Sequence, residues 1–218
     1  MSTRHRPEFT LLEFYRLGVD EFGLMDDLSV LLSAVFCGFA RIPPECVQLS
    51  YSAWFERDGG FNPLTIALES LRMRVADFGV ITPVGTQFSR DDCLDLIRTH
   101  QLEALLPPDQ CTCIYDFPAS QAALAQLNSD GVTARRFELF LGGFELANGY
   151  FELTDAAEQA LRFNRDCAVR AERGLPAVQI DQDLLRALTS GLPSCAGVAV
   201  GLDRLLMILM GAKNIADV

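Results

Sequence analysis

The chain has 218 residues and a mass of 24.0 kDa, of which half are hydrophobic and 22% are charged. These values exclude a disordered chain and suit one large domain or two small ones. The net charge of −11 argues against a broad basic surface for nucleic acid, although it leaves room for a local basic pocket. Arg135, Arg136 and Arg204 are candidates for such a pocket.

The lack of a recognisable targeting segment and the spacing of the cysteines both indicate the same cellular compartment. The N-terminus has no apolar leader, and no run of about 18 apolar residues occurs, so we expect a cytoplasmic protein without a membrane segment. Seven cysteines are scattered without zinc-binding spacing, which favours free thiols in a reducing compartment.

The first half of the chain predicts one strand and several helices. Alternation predicts a strand over 8–15, with Glu13 and Tyr15 on the same face, either at an exposed edge or aimed into a polar pocket. A broad apolar stripe predicts a helix over 20–38. Helical spacing recurs further on, where no residue stands out for chemistry, over 51–55, 63–75 and 91–100.

The second half predicts strands that alternate with capped helices. A buried type of strand covers 111–117, and a helix begins at Asp155, with Glu158 as its capping-box partner, and ends near Arg173. We expect a further helix over 181–189. A last strand begins at 195 and leads directly into a helix that runs from Asp203 to about 210.

The segment RRFELFLGGFELANGYFELTD, residues 135–155, predicts a β-hairpin that turns at Gly142-Gly143. Pairing of Leu141 with Phe144 would place Phe140 opposite Glu145 and Glu138 opposite Ala147. Glu138 and Glu145 then become diagonal neighbours on one face, which suits a shared hard cation. The alternative is an exposed face with two solvated glutamates.

The last strand is rich in small residues, and the helix after it carries Arg204 in its first turn. Small residues weaken a strand unless something approaches its backbone closely. An arginine at a helix N-terminus opposes the helix macrodipole and therefore calls for an anionic partner, of which phosphate is the natural one. The alternative is a surface arginine paired with Asp203 or Glu145.

Several segments resemble the class II aminoacyl-tRNA synthetases. GVAVGLDRLLMILMG resembles motif 3, RHRPEFTLLEFY resembles the second half of motif 2, and FELFLGGFELANGYFELTDAAEQALRF resembles the lysyl-tRNA synthetase core. FPASQAALAQ and RGLPAVQIDQDLLRAL are similar to the short lysyl-tRNA synthetase paralogs that ligate lysine or β-lysine to elongation factor P. The resemblance implies an α+β fold, with an antiparallel sheet flanked by helices and one catalytic core over 1–218.

The resemblance also implies an adenylating ligase that uses ATP and Mg²⁺. Phe9 would stack on adenine, His5 would lie near the phosphates and Arg204 would clamp the γ-phosphate. Glu138 and Glu145 would hold the metal, with Glu145 and Arg204 as catalytic residues. The remaining residues would line the substrate pocket: Glu13, Tyr15, Ser120, Gln121, Asn148, Tyr150, Glu152 and Ala199.

Three parts of the family pattern are not recognised in this sequence. Motif 1, which builds the family's homodimer interface, and the first strand of motif 2 are absent, so we expect N-terminal strands of the sheet to be missing. The anticodon-binding barrel is also absent, which makes tRNA an unexpected partner. Two alternatives stay open: a catalytically weakened module that binds ATP and an amino acid, and a lysyl-tRNA synthetase-like protein that charges tRNA.

Overall fold

The computed structural model describes residues 6–80 and 87–218, which form one six-stranded sheet with helices against both faces. The strands follow the spatial order β1-β6-β5-β4-β3-β2. In chain order they are β1 (Leu11–Leu17), β2 (Cys46–Ser50), β3 (Cys111–Pro118), β4 (Thr133–Leu141), β5 (Phe144–Phe151) and β6 (Cys195–Gly201). The predicted α+β class is confirmed.

The sheet is antiparallel except at one edge. Strand β2 pairs with β3 in parallel, in the register Cys46 to Cys111, and all other neighbours are antiparallel. The predicted antiparallel sheet is confirmed in its other four strand pairs, whereas β2 and its parallel pairing with β3 were not predicted. In the described residues, the chain between β2 and β3 contains several helices, which is the usual form of the long connection that two parallel strands need.

Seven α-helices lie in the described ranges: α1 (Glu21–Gly38), α2 (Tyr51–Trp54), α3 (Leu68–Ala76), α4 (Arg90–Ile97), α5 (Ala156–Glu172), α6 (Gln182–Ser190) and α7 (Leu202–Met210). Asp20 caps α1 by accepting a hydrogen bond from the amide of Gly23 at 2.9 Å. Asp155 caps α5 as predicted, but the Glu158 side chain pairs with Arg162 at 2.9 Å, and not with the Asp155 amide. None of the described helices is long and apolar enough to cross a membrane.

Two predicted helices of the first half end or begin elsewhere. The helix expected over 63–75 begins only at Leu68, because Asn62 accepts the amide of Leu64 and forms a turn first. The helix expected over 91–100 changes at Arg98 into a π-helical turn, Arg98–Leu102. A second π-helical turn, Phe55–Gly59, extends α2.

The two faces of the sheet carry different cores. Helices α1 and α7 pack on one face through leucines such as Leu28, Leu32 and Leu205. On the other face, α2 to α4 cover β3 and part of β4 with an aromatic core that includes Trp54 and Phe140. Each of the seven cysteines is a free thiol, as predicted.

The central hairpin forms as predicted at its turn and differs beyond it. Leu141 pairs with Phe144 and Phe140 with Glu145, but a bulge then shifts the register. Glu138 consequently pairs with Asn148, while Ala147 pairs with Leu139 and joins the opposite core. The prediction that Glu138 faces Ala147 was wrong by one residue, because one extra residue on a strand reverses the faces beyond it.

Candidate active site

Two rows of side chains cross the sheet face that α1 and α7 leave open. In the first row, Glu13 pairs with Ala199, Ala199 with Asn148, and Asn148 with Glu138, so four strands contribute one residue each. The bulge in β5 creates this alignment, since it brings Asn148 opposite Glu138. Residues far apart in the chain therefore share one line across the sheet.

The second row runs through Tyr15, Gly197, Tyr150 and Arg136. A Cβ atom at Gly197 would lie 2.3 Å from Oε1 of Glu152 and 2.6 Å from the ring of Tyr15. Glycine is therefore required because two side chains approach the backbone of β6. This confirms the sequence-based explanation for small residues in that strand at Gly197.

Burial without a cationic partner distinguishes Glu152. Its side chain is buried, and burial raises the pKa of its carboxyl from 4.5 to about 7. Within the described residues, no arginine or lysine forms a salt bridge with it. Burial, followed by the charge of Glu152, also raises the pKa of Tyr15. A buried carboxylate without a cationic partner is suited to bind a ligand that carries a positive charge.

A cavity of about 270 Å³ lies over β1, β6 and β5. Five predicted site residues line it: Phe9, Glu145, Asn148, Ala199 and Arg204. Arg6 and Asp203 line it as well and were not among the predicted residues. Asp203 accepts the amide of Thr10 at 2.6 Å, which ties the start of β1 to the first turn of α7.

Arg204 extends from α7 to the hairpin strand. Its Nη1 donates to the backbone carbonyl of Glu145, so the alternative of a pairing with Glu145 is realised through the main chain. Burial raises the pKa of the Glu145 carboxyl, and the positive charge of Arg204 partly opposes that rise. The Arg204 guanidinium thus lies at the cavity and beside the Glu145 carboxylate. Its positive charge can stabilise an anionic ligand that binds there.

Glu138 is held by two arginines. Its carboxylate is 2% exposed, and each oxygen lies 2.6 Å from a guanidinium nitrogen, one of Arg98 and one of Arg136. Burial alone would lower the pKa of Arg98, but Glu138, Glu103 and Asp95 together raise it. The sequence did not indicate Arg98, because it belongs to a π-helical turn that no periodicity reveals, although such turns frequently occur at functional sites.

Glu145 lies close enough to Glu138 for the two charges to interact. Burial, followed by the negative charge of Glu138, raises the pKa of Glu145 to about 7, while Arg98, Arg204 and Arg136 act in the opposite direction. In the described part of the chain, no group of three or more potential ligands forms a metal site. A pair of carboxylates still fits Mg²⁺, which commonly takes one or two carboxylates and completes its shell with waters and substrate phosphates.

Ser120 and Gln121 line a second cavity, of about 290 Å³, together with Asp95, Asp166 and Phe117. Ser120 donates to Asp91 at 2.8 Å, and the Gln121 carbonyl accepts from Arg136 at 2.8 Å. These two predicted substrate residues thus line a different cavity from Asn148 and Ala199, and Arg136, which lines the second cavity, contacts both Gln121 and Asn148. His5 lies outside the described residues.

Comparison with known proteins defines the family. The model of the class II tRNA synthetases for aspartate, lysine and asparagine (D, K and N) matches residues 1–218. The chain belongs to the class II tRNA synthetases. The sequence resemblance is therefore confirmed at the level of the family.

Individual relatives of this synthetase domain share one name. The elongation factor P–(R)-β-lysine ligase of Salmonella dublin is 45% identical over 220 residues, which cover 100% of this chain and 66% of the relative. The ligases of the same name from Salmonella heidelberg SL476 and Salmonella agona SL483 show the same identity and coverage. The synthetase domain described here thus spans 66% of the length of these relatives.

Proposed function

We propose that this synthetase domain activates lysine or β-lysine with ATP and transfers it to a lysine of elongation factor P. The observation that carries the proposal is the 45% identity along the whole chain to ligases of that name. The site supports it independently, because one face combines an arginine at a cavity, two interacting acidic groups and a buried carboxylate without a cation.

The proposed reaction has two steps. A carboxylate oxygen of the amino acid attacks the α-phosphorus of ATP, the bond to the bridging oxygen breaks, and pyrophosphate leaves. The acceptor amine then attacks the acyl carbon, AMP leaves, and the amine loses a proton as the amide forms. Both steps depend on positioning and charge stabilisation, so no covalent intermediate with the protein is needed.

Residues around the cavity over β1, β6 and β5 are assigned to ATP. Phe9 offers its exposed ring to adenine, and Arg204 offers its guanidinium to the γ-phosphate. Glu145 and Glu138 would hold Mg²⁺, which neutralises negative charge on neighbouring phosphates. Arg204 and Glu145 are the catalytic residues in this proposal, because both would touch the reacting triphosphate.

Residues of β1, β5 and β6 are assigned to the amino acid. Glu152 and Tyr15, which meet over Gly197, would receive one ammonium group of the substrate. The other predicted residues of the two rows would form the wall of the amino-acid pocket: Glu13, Asn148, Tyr150 and Ala199. Ser120 and Gln121, which line the second cavity, would contribute from beyond Arg136.

Pyrophosphate exchange tests the proposal directly. The chain should exchange labelled pyrophosphate into ATP when lysine or β-lysine is present, and it should then label elongation factor P. Glu145→Gln should abolish most of the exchange, whereas Glu45→Gln, a change at an exposed glutamate before β2, should not alter it. ATP binding without any exchange would leave only the binding-module alternative, and charging of tRNA would favour the tRNA synthetase alternative.

The proposal also includes a cellular location and an oligomeric state. A cytoplasmic location would give access to ATP and elongation factor P, and fractionation of cells that express the native protein tests it. The homodimer of the family is the expected assembly, and light scattering of the purified protein measures it. A monomer with full exchange activity would remove the dimer from the proposal.

A further inference from the structure

The two arginines that hold Glu138 differ in what else surrounds them. Arg136 belongs to β4 and is fixed by neutral groups, since it donates to the Gln121 carbonyl at 2.8 Å and lies 3.4 Å from Oδ1 of Asn148. Its guanidinium also lies over the ring of Phe117, 4.6 Å from the centroid. Arg136 is therefore anchored to the sheet, and Glu138 is its one carboxylate partner in the described residues.

Arg98 reaches Glu138 from the opposite direction and lies among carboxylates. It begins the π-helical turn after α4, and besides Glu138 at 2.6 Å it has Glu103 at 3.5 Å and Asp95 at 3.8 Å. Its side chain is 15% exposed, so an unpaired charge would be costly there. With two other carboxylates within reach, Arg98 can release Glu138 without becoming a buried, uncompensated cation.

We propose that Arg98 is a positioning residue, an internal counterion that holds Glu138 until the divalent cation of ATP arrives and then pairs with Asp95 and Glu103. The inference rests on the proposed function, which places that cation at Glu138 and Glu145. The inference goes beyond the proposed function because it gives a role to Arg98, in the π-helical turn between β2 and β3. Arg136 stays in place in both states, because its other contacts are with neutral groups.

Competition between Arg98 and the metal follows from this arrangement. Two guanidinium groups on one carboxylate repel an approaching cation, and the energy needed to turn Arg98 away reduces the net affinity for the metal. In surroundings with an effective dielectric constant of about 20, one unit charge about 4 Å away changes the affinity for even a monovalent cation by about a thousandfold. Partial relief of this repulsion should therefore change the affinity for a divalent cation by at least about tenfold. Loss of the Arg98 charge should therefore tighten metal binding, although it removes a contact that stabilises the fold.

Titration with Mn²⁺, which can be followed by the electron paramagnetic resonance of the free ion, tests the inference in the full chain. With a non-hydrolysable ATP analogue present, Arg98→Met should lower the half-saturating Mn²⁺ concentration by at least about tenfold. Arg98→Lys retains the charge and should change it much less. Arg98→Gln keeps an N–H donor for Glu138 and covers the case in which Arg98→Met does not fold.

Arg135→Met is the matched control. Arg135 is the neighbour of Arg136 in β4 and pairs at 2.6 Å with a similarly buried carboxylate, that of Glu21 at the start of α1. A merely structural role of Arg98 predicts that both variants lower the unfolding midpoint and that neither changes Mn²⁺ binding.

The outcomes separate this inference from the proposed function. Unchanged or weaker Mn²⁺ binding by Arg98→Met and Arg98→Gln overturns the counterion role alone. No Mn²⁺ binding by the unaltered chain, with the ATP analogue present, overturns the proposed cation site and the counterion role with it.

Discussion

Replacing Glu152 by glutamine should stabilise the fold and at the same time weaken the binding of the amino acid. Glu152 is 9% exposed, and burial raises the pKa of its carboxyl from 4.5 to about 7. Folding therefore favours the protonated form, and ionisation in the native state costs free energy. Glutamine keeps the shape of the side chain and cannot ionise, so it removes that cost.

The magnitude and the pH window follow from the two pKa values. Between 4.5 and about 7 the cost grows to about 3 kcal/mol, since each pKa unit corresponds to about 1.4 kcal/mol. Below pH 4.5 the carboxyl is protonated in both the folded and the unfolded chain, so the cost vanishes there. Above about pH 7 it is complete, because the group is then ionised in both states.

Urea unfolding at pH 4.5 and pH 8 measures this difference. Glu152→Gln should increase the free energy of unfolding by about 1–3 kcal/mol at pH 8 and by less than about 0.5 kcal/mol at pH 4.5. The KM for lysine in pyrophosphate exchange should rise about 10- to 150-fold, the value of a lost charged hydrogen bond. Glu45→Gln serves as the exposed control. An equal gain at both pH values, or a loss of stability at pH 8, would refute this account of Glu152.

Three further substitutions probe the site. Gly197→Ala should abolish lysine-dependent exchange, because its Cβ would lie 2.3 Å from Glu152, whereas Gly38→Ala, which meets nothing within 4 Å, should leave the exchange rate unchanged. Glu145→Gln should reduce exchange by about 100-fold or more, a typical cost of removing a charge-stabilising group, as measured by kcat at saturating ATP. Arg136→Met should lower the free energy of unfolding by about 3 kcal/mol because it leaves Glu138 with one partner, whereas Arg186→Met, at an exposed pair, should cost less than about 0.5 kcal/mol in the same urea titration.

Local signals in the sequence predicted much of the sheet and little of its register. The Gly142-Gly143 turn and the Asp155 cap were predicted, because turn and cap chemistry depends on adjacent residues. The bulge that pairs Glu138 with Asn148 was not, since it depends on which side chains the sheet buries. The elements of the second half of the chain were predicted better than those of the first, because they depend more on such adjacent turn and cap residues.

The candidate site divides in the same way. Phe9, Glu145 and Arg204 were predicted from motifs and do line one cavity. Arg98 was missed, because its partner Glu138 lies 40 residues away and a π-helical turn brings the two together. Long-range ion pairs leave no periodic trace in a sequence, so the environment of Glu138 became visible only in the folded chain.

The first row of the site has a consequence for how such a domain can diversify. Ala199 lies between Glu13 on one side and Asn148 on the other, and Glu138 follows one strand further. In the proposed function, substrate preference at Ala199 and phosphate chemistry at Glu138 would thus share one line across the sheet, two strand spacings of about 4.8 Å apart. Under that proposal, an exchanged side chain on β6 alone would change which amino acid is accepted, while Glu138 on β4 and Glu145 on β5 keep their positions.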